Sequence, residues 1–457
     1  MSGCRMSTTQ AADSVHGRLH GPGADVEFDG VGTDTRSLQP GQLFIALRGP
    51  NFDGHDFAAQ AAQRGAAALM VDTPQPLDLP QIVVDDTQQG LARLAAAWRG
   101  RFEIPLVAIT GSNGKTTVKE MLAAIFAQSG PVCATRGNLN NEIGVPLTLL
   151  GLEQCHHAAV IEQGASKPGD IAYLTRISAP TVALVTNAGG AHLEGFGDLD
   201  TVARTKGEIF EHLPAGGTAV INADDPYAAQ WRARCGDVDV VSFGLNARQD
   251  ERPDVWTQWQ ANGPLHIHTP RGELSVQLAL AGRHNAANAL AATAAALAAG
   301  VDLAQIGAGL QGLQPVPGRL QWKAGINGAR ILDDSYNANP ASLAAALEVL
   351  AACPGDRCLA LGDMAELGDA AVDLHQAAGR QARRAGVHRL YATGEHSRHA
   401  VSAFGEQAWH FPRQADMVAR LRQDLRADST LLVKGSRSAH MERVVDALLA
   451  AGGGGEA

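Results

Sequence analysis

The chain has 457 residues, 45% hydrophobic and 18% charged, which at about 150 residues per domain predicts three globular domains with sizeable cores. Its formal net charge of −10 argues against non-specific binding to nucleic acid or to membrane surfaces, because both are polyanions, so an anionic substrate calls for a locally positive pocket. The opening MSGCRMSTTQ has no apolar h-region, and the cysteines at 4, 133, 155, 235, 353 and 358 form no C-x-x-C pair; the expectation is a cytoplasmic chain without a zinc or disulfide framework.

Residues 26–100 mix short strand patterns (Gln42–Leu47, Ala67–Val71, Gln81–Val84) with helical ones (Phe57–Arg64, Gln88–Trp98), which predicts a small α/β domain over 1–103. From Glu103-Ile104-Pro105 the rhythm lengthens. Runs apolar throughout at Leu106–Thr110, Ala158–Ile161, Val182–Thr186 and Thr218–Asn222, separated by helical stretches, predict a parallel sheet covered on both faces. Alternation between Val255 and Leu280 predicts an antiparallel excursion, and Asn285–Ala299 a helix closed by Gly300. This helix holds the longest apolar run, but Asn288 and Thr293 interrupt it, so no membrane insertion is expected. The stretch Gln314 to Gly318 reads as a linker that ends a middle domain over 104–315. A third βα series over 316–457 has strands at Ile331–Asp334, Cys358–Gly362, Arg389–Gly394 and Thr430–Lys434. Cys353 and Cys358 have no partner chemistry nearby and read as structural.

The sharpest local signal is LVAITGSNGKTT, residues 106–117: a strand, a Gly-rich turn, then a helix with apolar Val118, Leu122 and Ile125. Backbone N–H groups at such a turn, with the helix N-terminus, make a phosphate site. Lys115 is placed to reach the β/γ-phosphates and Thr116 to hold Mg²⁺. The full G-x-x-x-x-G-K-[ST] pattern is not met, because Ile109 stands where the first glycine belongs. The loop alone predicts a nucleotide; no Asn-Lys-x-Asp guanine reader is present, which weakens a GTPase reading.

The form TGSNGKTT resembles the phosphate loop of Mur ligases and folylpolyglutamate synthetases. Residues 33–57, TDTRSLQPGQLFIALRGPNFDGHDF, resemble the uridine-nucleotide-binding domain of Mur ligases. GNLNNEIGVPLTLL (137–150), HLEGFG (192–197), KGEIF (206–210), GRHNAAN (282–288), DDSYNANP (333–340), GDMAELG (362–368) and KGSRS (434–438) are similar to the D-alanyl-D-alanine-adding member of that family. The blocks stand in family order from about residue 26 to 448, and on them the chain is identified as a member of the Mur ligase family. The resemblance implies an α/β fold of three domains. A central P-loop parallel-sheet ATPase domain would lie between an N-terminal uridine-nucleotide-binding domain and a C-terminal Rossmann-like domain. Two departures stand out: Gln163, where the family usually has an apolar residue, and Ser335, where threonine is common.

What the resemblance implies about chemistry is an ATP-dependent ligase of peptidoglycan precursor synthesis. It would join D-alanyl-D-alanine to a UDP-N-acetylmuramoyl-tripeptide through an acyl phosphate, releasing ADP and phosphate. Meso-diaminopimelate and L-lysine fit the sequence equally as the third peptide residue. Crowded anions in the first step require cations. The family's pattern assigns ATP to Gly111, Ser112, Asn113, Gly114, Lys115, Thr116 and Thr117. It also puts Asn285 and Asn288 near adenine, Arg319 on phosphate and Asp334 on ribose. It assigns magnesium to Thr116, Glu162, His192 and a CO₂-derived carbamate on Lys206, with Lys115, Glu162, His192 and Lys206 forming the catalytic set. Thr35, Arg36, Ser37 and His55 are candidates for the uridine diphosphate, and Asn138, Asn140 and Asn141 for the sugar or peptide. Tyr336, Asn337, Lys434, Ser436 and Arg437 are candidates for the incoming dipeptide. Taken alone, Lys206 would read as a solvated helix residue and His192 as a helix-start or surface histidine. A monomer is expected, with no nucleic-acid partner. Two competing readings are a folylpolyglutamate synthetase, which needs a pterin site in place of the block at 33–57, and a nucleotide-binding regulator, which would lack Glu162, His192 or Lys206.

Overall fold

The computed structural model describes residues 3–23, 25–189, 196–245, 252–260, 263–314 and 316–450. Three mixed α/β sheets follow one another along the chain. The first has five strands: Val31–Gly32, Leu43–Ile45, Ala68–Val71 and Gln81–Val83 run parallel, and Arg18–His20 is antiparallel at the edge. An N-terminal helix, Thr8–Val15, packs beneath it; a capping box between Ser7 and Gln10 starts this helix.

The middle sheet has nine strands. Leu106–Thr110 lies at its heart, parallel to Ala158–Glu162 on one side and to Val182–Val185 on the other. The predicted run at 106–110 is apolar throughout because both faces are covered. Leu106 and Ala108 point into a core with Val145, Leu174 and Ile209, whereas Val107 and Ile109 point into one with Met121, Leu122 and Leu290. The antiparallel excursion is the hairpin Leu265–Thr269 with Gly272–Val276 at the sheet's edge. The helix that carries the interrupted apolar run spans Arg283–Ala298 and is buried against the second core. Among the described residues no helix is long and apolar enough to cross a membrane.

The third sheet has six strands; Gln321–Ala324 is antiparallel at one edge, and Arg330–Asp334, Ser429–Lys434, Asp356–Leu361, Arg389–Thr393 and Ala408–Phe411 follow in parallel. In both the middle and third sheets a strand is flanked by neighbours reached in opposite directions. Such a switch point leaves a crevice at the carboxyl ends of the strands. The two crevices face each other.

Candidate active site

Between them lies a cavity of about 940 Å³, lined from one side by the loop after Thr110 and from the other by residues 334–345 and 434–440. The loop geometry follows from its glycines. Gly111 has φ +142 and packs so closely on Thr186 that a side chain would collide with the threonine hydroxyl; Gly114, at φ +84, meets the Asn288 amide in the same way. Only glycine fits such close approach at positive φ. The helix Lys115–Phe126 then starts without a side-chain cap, and its first N–H groups open toward the cavity.

This loop is welded to the one after strand Val182–Val185. The Asn187 side chain accepts from the Asn113 N–H at 3.1 Å and donates to the Asn113 carbonyl at 3.1 Å. The Ser112 hydroxyl donates to the Gly189 carbonyl at 3.0 Å and accepts from the Gly189 N–H at 2.9 Å. Ser112 thus holds the strand-end loop. Asp225 supports it from below by accepting from Ala188 N–H at 2.8 Å, and burial raises the Asp225 carboxyl above its usual range. His192 lies outside the described residues.

Glu162 ends its strand nearly buried, and its two oxygens are divided. Oε2 accepts from the Thr116 hydroxyl at 3.0 Å and Oε1 from the Asn140 amide at 2.9 Å. Lys115 donates to the Gly111 carbonyl at 2.7 Å, and burial lowers its pKa, opposed by Glu162 and reinforced by Arg319. A hydroxyl and a carboxylate oxygen this close, beside an opening for phosphate, match the hard, sparse oxygen set that magnesium accepts while keeping waters and phosphate oxygens. A second cavity of about 150 Å³ shares Lys115 and Asn140 with the first and is lined by Asp170, Tyr173 and Lys206. Lys206 is only 2% exposed, so it is no solvated helix residue. Burial, and then Lys115, lowers its pKa to about 7. Its Nζ stands 5.8 Å from the centre of the Phe196 ring.

From the third domain, Arg319 donates to the Thr116 hydroxyl at 3.0 Å and stacks over Tyr336 at 4.4 Å. Its buried Nε has no protein partner, an N–H that a phosphate oxygen would satisfy. Asp334 and Lys434 form a buried ion pair, and Lys434 also donates to the Asn337 carbonyl at 3.0 Å. Both charges of that pair are therefore committed to each other, whereas Arg437, more than half exposed and 5.8 Å from the Tyr336 ring, pairs with Glu442 at 3.2 Å nearer the surface. Ser436 is buried against Ser438, with 3.1 Å between hydroxyls. Asn285 and Asn288 both line the cavity, but Asn285 donates to the Ala281 carbonyl at 2.7 Å and Asn288 to the Asn285 oxygen at 3.2 Å. Thr117 is buried at the start of the phosphate-loop helix.

The first-domain candidates stand apart from this cavity. Thr35 donates to Gln60 at 2.8 Å, Arg36 pairs with Asp34 at 2.6 Å and Ser37 donates to the Asp34 carbonyl at 3.3 Å. His55 is held between Asp53 at 2.6 Å and Asp72 at 3.2 Å. Asn138 is exposed at the cavity's edge, and Asn141 accepts from Gly144 N–H at 2.9 Å at the start of a short helix.

Both sequence departures are accommodated. Gln163 is fully buried, accepts from Thr175 at 3.0 Å and donates to Ser178 at 2.9 Å, so its amide finds partners on the covering helix. Ser335 donates to Asp333 at 2.6 Å, which a threonine hydroxyl would also do. Sequence reasoning passed over Asn187, Asp225, His284 and Asn339. His284 lines the cavity as a neutral imidazole, its pKa pushed down to about 4 by burial and then by Lys434. For Asn339 a signal existed: Asn-Pro before an alanine-rich helical run marks an N-cap.

Comparison with known proteins bears on the whole chain. Three family models match: "Mur ligase family, catalytic domain" at residues 27–99, "Mur ligase middle domain" at 109–296 and "Mur ligase, glutamate ligase domain" at 318–437. The UDP-N-acetylmuramoyl-tripeptide–D-alanyl-D-alanine ligase of Escherichia coli (strain K12) is 46% identical over 97% of this chain and 98% of its own length. A crystal structure of MurF from Acinetobacter baumannii superposes with a TM-score of 0.91 at 35% identity, covering 98% of this chain and 99% of that one. The MurF ligase from Thermotoga maritima in complex with ADP gives 0.81 at 28% identity, covering 92% and 96%. With models spanning all three sheets and a relative this similar along nearly the whole length, the chain belongs to the Mur ligase family.

Proposed function

We propose that this protein joins D-alanyl-D-alanine to UDP-N-acetylmuramoyl-tripeptide at the expense of ATP, a step of peptidoglycan precursor synthesis, in the cytoplasm. The observation that carries this reading is the meeting of Arg319 with Thr116 across one cavity. A phosphate loop is common to many chemistries, but here a second domain reaches over it with a cation. That arrangement suits a phosphoryl transfer that must exclude water and admit a second substrate.

In the proposed order of events each residue has a part. The loop N–H groups, Lys115 and Arg319 hold the phosphates of ATP and take up the charge as the tripeptide carboxylate attacks the γ-phosphorus. The carboxylate oxygen forms a bond to phosphorus, the bond to the β-phosphate oxygen breaks, and ADP leaves. The dipeptide amine then attacks the acyl carbon, phosphate departs, and the amine proton passes to solvent or a nearby base. Arg437, whose pairing with Glu442 is more exposed than that of Lys434 with Asp334, would exchange that partner for the dipeptide's terminal carboxylate. Thr116 and Glu162 would hold magnesium, with His192 as a further proposed ligand. When bound, the ion would supply positive charge that neutralises the phosphates.

Lys206 extends this set. An amine with a pKa of about 7 is half neutral near neutrality. A neutral amine adds to CO₂: nitrogen bonds to carbon, one carbon–oxygen π bond becomes a carboxylate, and the nitrogen loses a proton to solvent. The resulting carbamate would bring an anion next to Lys115 and a second magnesium, where an ammonium would repel both. Phosphate release from ATP, measured with UDP-linked tripeptides carrying meso-diaminopimelate or L-lysine, with and without D-alanyl-D-alanine, tests the reading. Release that ignores the dipeptide, or yields no ligated product, overturns it.

A further inference from the structure

From the geometry of Asn339 we infer that this residue is a positioning residue: on domain closure it fixes which end of the Asn113 amide faces the reacting phosphate. The inference rests on the functional reading above and deepens it. Asn339 belongs to the third domain and caps the helix Pro340–Ala351. Its Oδ1 accepts from the backbone N–H of Ser342 at 2.9 Å, and its own N–H donates to the Ser342 hydroxyl at 3.0 Å. Its Nδ2 reaches out of the domain and donates to Oδ1 of Asn113, in the phosphate loop, at 2.8 Å.

Asparagine amides are ambiguous by shape, because oxygen and nitrogen are nearly the same size. Here the ambiguity is broken by chemistry. A backbone N–H can only donate, so the atom of Asn339 facing Ser342 must be oxygen and the atom facing Asn113 must be nitrogen. That nitrogen has no lone pair to accept with, so Asn113 must turn its oxygen toward Asn339. The NH₂ of Asn113 is then what remains to donate, and Asn113 lines the cavity beside Lys115 and Ser112. Its backbone is already fixed by Asn187 and Thr186, with the Thr186 hydroxyl donating to the Asn113 carbonyl at 2.6 Å. These contacts hold only the backbone; the side chain's orientation is set from the third domain, by Asn339. An NH₂ toward a phosphate oxygen attracts; the flipped carbonyl would repel it. The helix cap thus acts as a sensor that presents a donor to the phosphate only when the domains have met.

The test separates this role from helix capping. Serine and aspartate are both good N-caps, so Asn339→Ser and Asn339→Asp keep the helix start; the aspartate carboxylate has no proton to donate, and serine, its oxygen turned to the Ser342 N–H, lacks the second branch that reaches Asn113. Thermal unfolding is expected to stay within about 2 °C of wild type. For Asn339→Ser, kcat is expected to fall about tenfold, the scale of one oriented hydrogen bond in the transition state, with KM for the UDP-peptide unchanged. Asn339→Asp should fall further, since its carboxylate forces Asn113 to turn. The double variant Asn113→Ala/Asn339→Ser should lose no more than Asn113→Ala alone, because the second change acts only through the first. An unaltered kcat in Asn339→Ser, or losses that multiply in the double variant, overturns the inference. Wild-type ligation in the same assay tests the functional reading, and the ratio of variant to wild type tests Asn339 alone.

Discussion

The Arg319 guanidinium and the Thr116 hydroxyl are 3.0 Å apart although 203 residues separate them. Thr116 simultaneously donates to Glu162. One hydroxyl therefore joins the third domain, the phosphate loop and the carboxylate that would hold magnesium, and a change at any of the three is felt by the others.

Replacing Lys115 by alanine removes the cation nearest the loop carbonyls, and replacing Arg319 removes the one that arrives with the third domain. Each is expected to lower kcat by roughly 10²–10³-fold, the usual loss for one charge-stabilising donor. Steady-state phosphate release checks both; near-normal turnover in either variant would detach that residue from the reaction.

Lys206 predicts a pH profile. Its folded pKa is about 7 against an ordinary 10.5, so between those values the unfolded chain binds the proton and the folded protein does not. Folding stability from this group therefore rises with pH through that window, and it is lost as pH falls toward 7. The neutral amine also grows from about a tenth at pH 6 to about nine tenths at pH 8. Ligation should climb over the same range and respond to added bicarbonate. Lys206→Ala should fold, lose most activity and regain part of it with a small carboxylic acid at high concentration. An activity that is flat from pH 6 to 8 in CO₂-free and bicarbonate buffers alike would rule the carbamate out.

Gln163 gives a stability prediction. Thr175 and Ser178 also donate to the helix carbonyls of Ile171 and Leu174, both at distances of 2.8–2.9 Å. Removing the glutamine amide leaves neither hydroxyl stranded. Gln163→Leu is expected to change stability by less than about 1 kcal/mol, whereas Gln163→Glu, which buries a charge, should cost about 3 kcal/mol or more. Denaturant midpoints of the two variants decide it.

A chain ending near Val316 lacks Arg319, Asp334 and Asn339. It is expected to bind the UDP-peptide, measured by calorimetry, and to form no product. Appreciable ligation of D-alanyl-D-alanine would show that the third domain has been given the wrong task.

The fold class was legible because its signals are local. Leu106–Thr110 and Thr218–Asn222 are buried strands without polar interruption, and both occur as read. Asp239–Gly244 was passed over because Asp239, Ser242 and Gly244 break its apolar residues into Val240-Val241 and a lone Phe243; Gln321–Ala324 alternates polar and apolar but is too short to stand out at an edge. The site was legible where chemistry sits on contiguous residues, as at 111–117. The commitment of Lys434 to Asp334 was not, since they are 100 residues apart and only the adjacency of two parallel strands brings them together. The orientation of Asn113 is further removed still. It depends on a cap in another domain.

The core beneath the first and middle sheets is continuous, from Cys4 and Leu94 to Leu149 and Ile177. Its seam is closed by polar contacts that reach far ahead along the chain: Cys4 N–H to the Leu150 carbonyl at 2.8 Å, Trp98 Nε1 to the Leu152 carbonyl at 3.1 Å, and Arg99 to the Ser178 carbonyl at 3.2 Å. During synthesis the helix Thr87–Arg99 therefore leaves the ribosome with its docking face bare. The partner of Arg99 lies 79 residues downstream, a wait of several seconds at about 10 residues per second. For that interval the nascent first domain carries an exposed apolar seam.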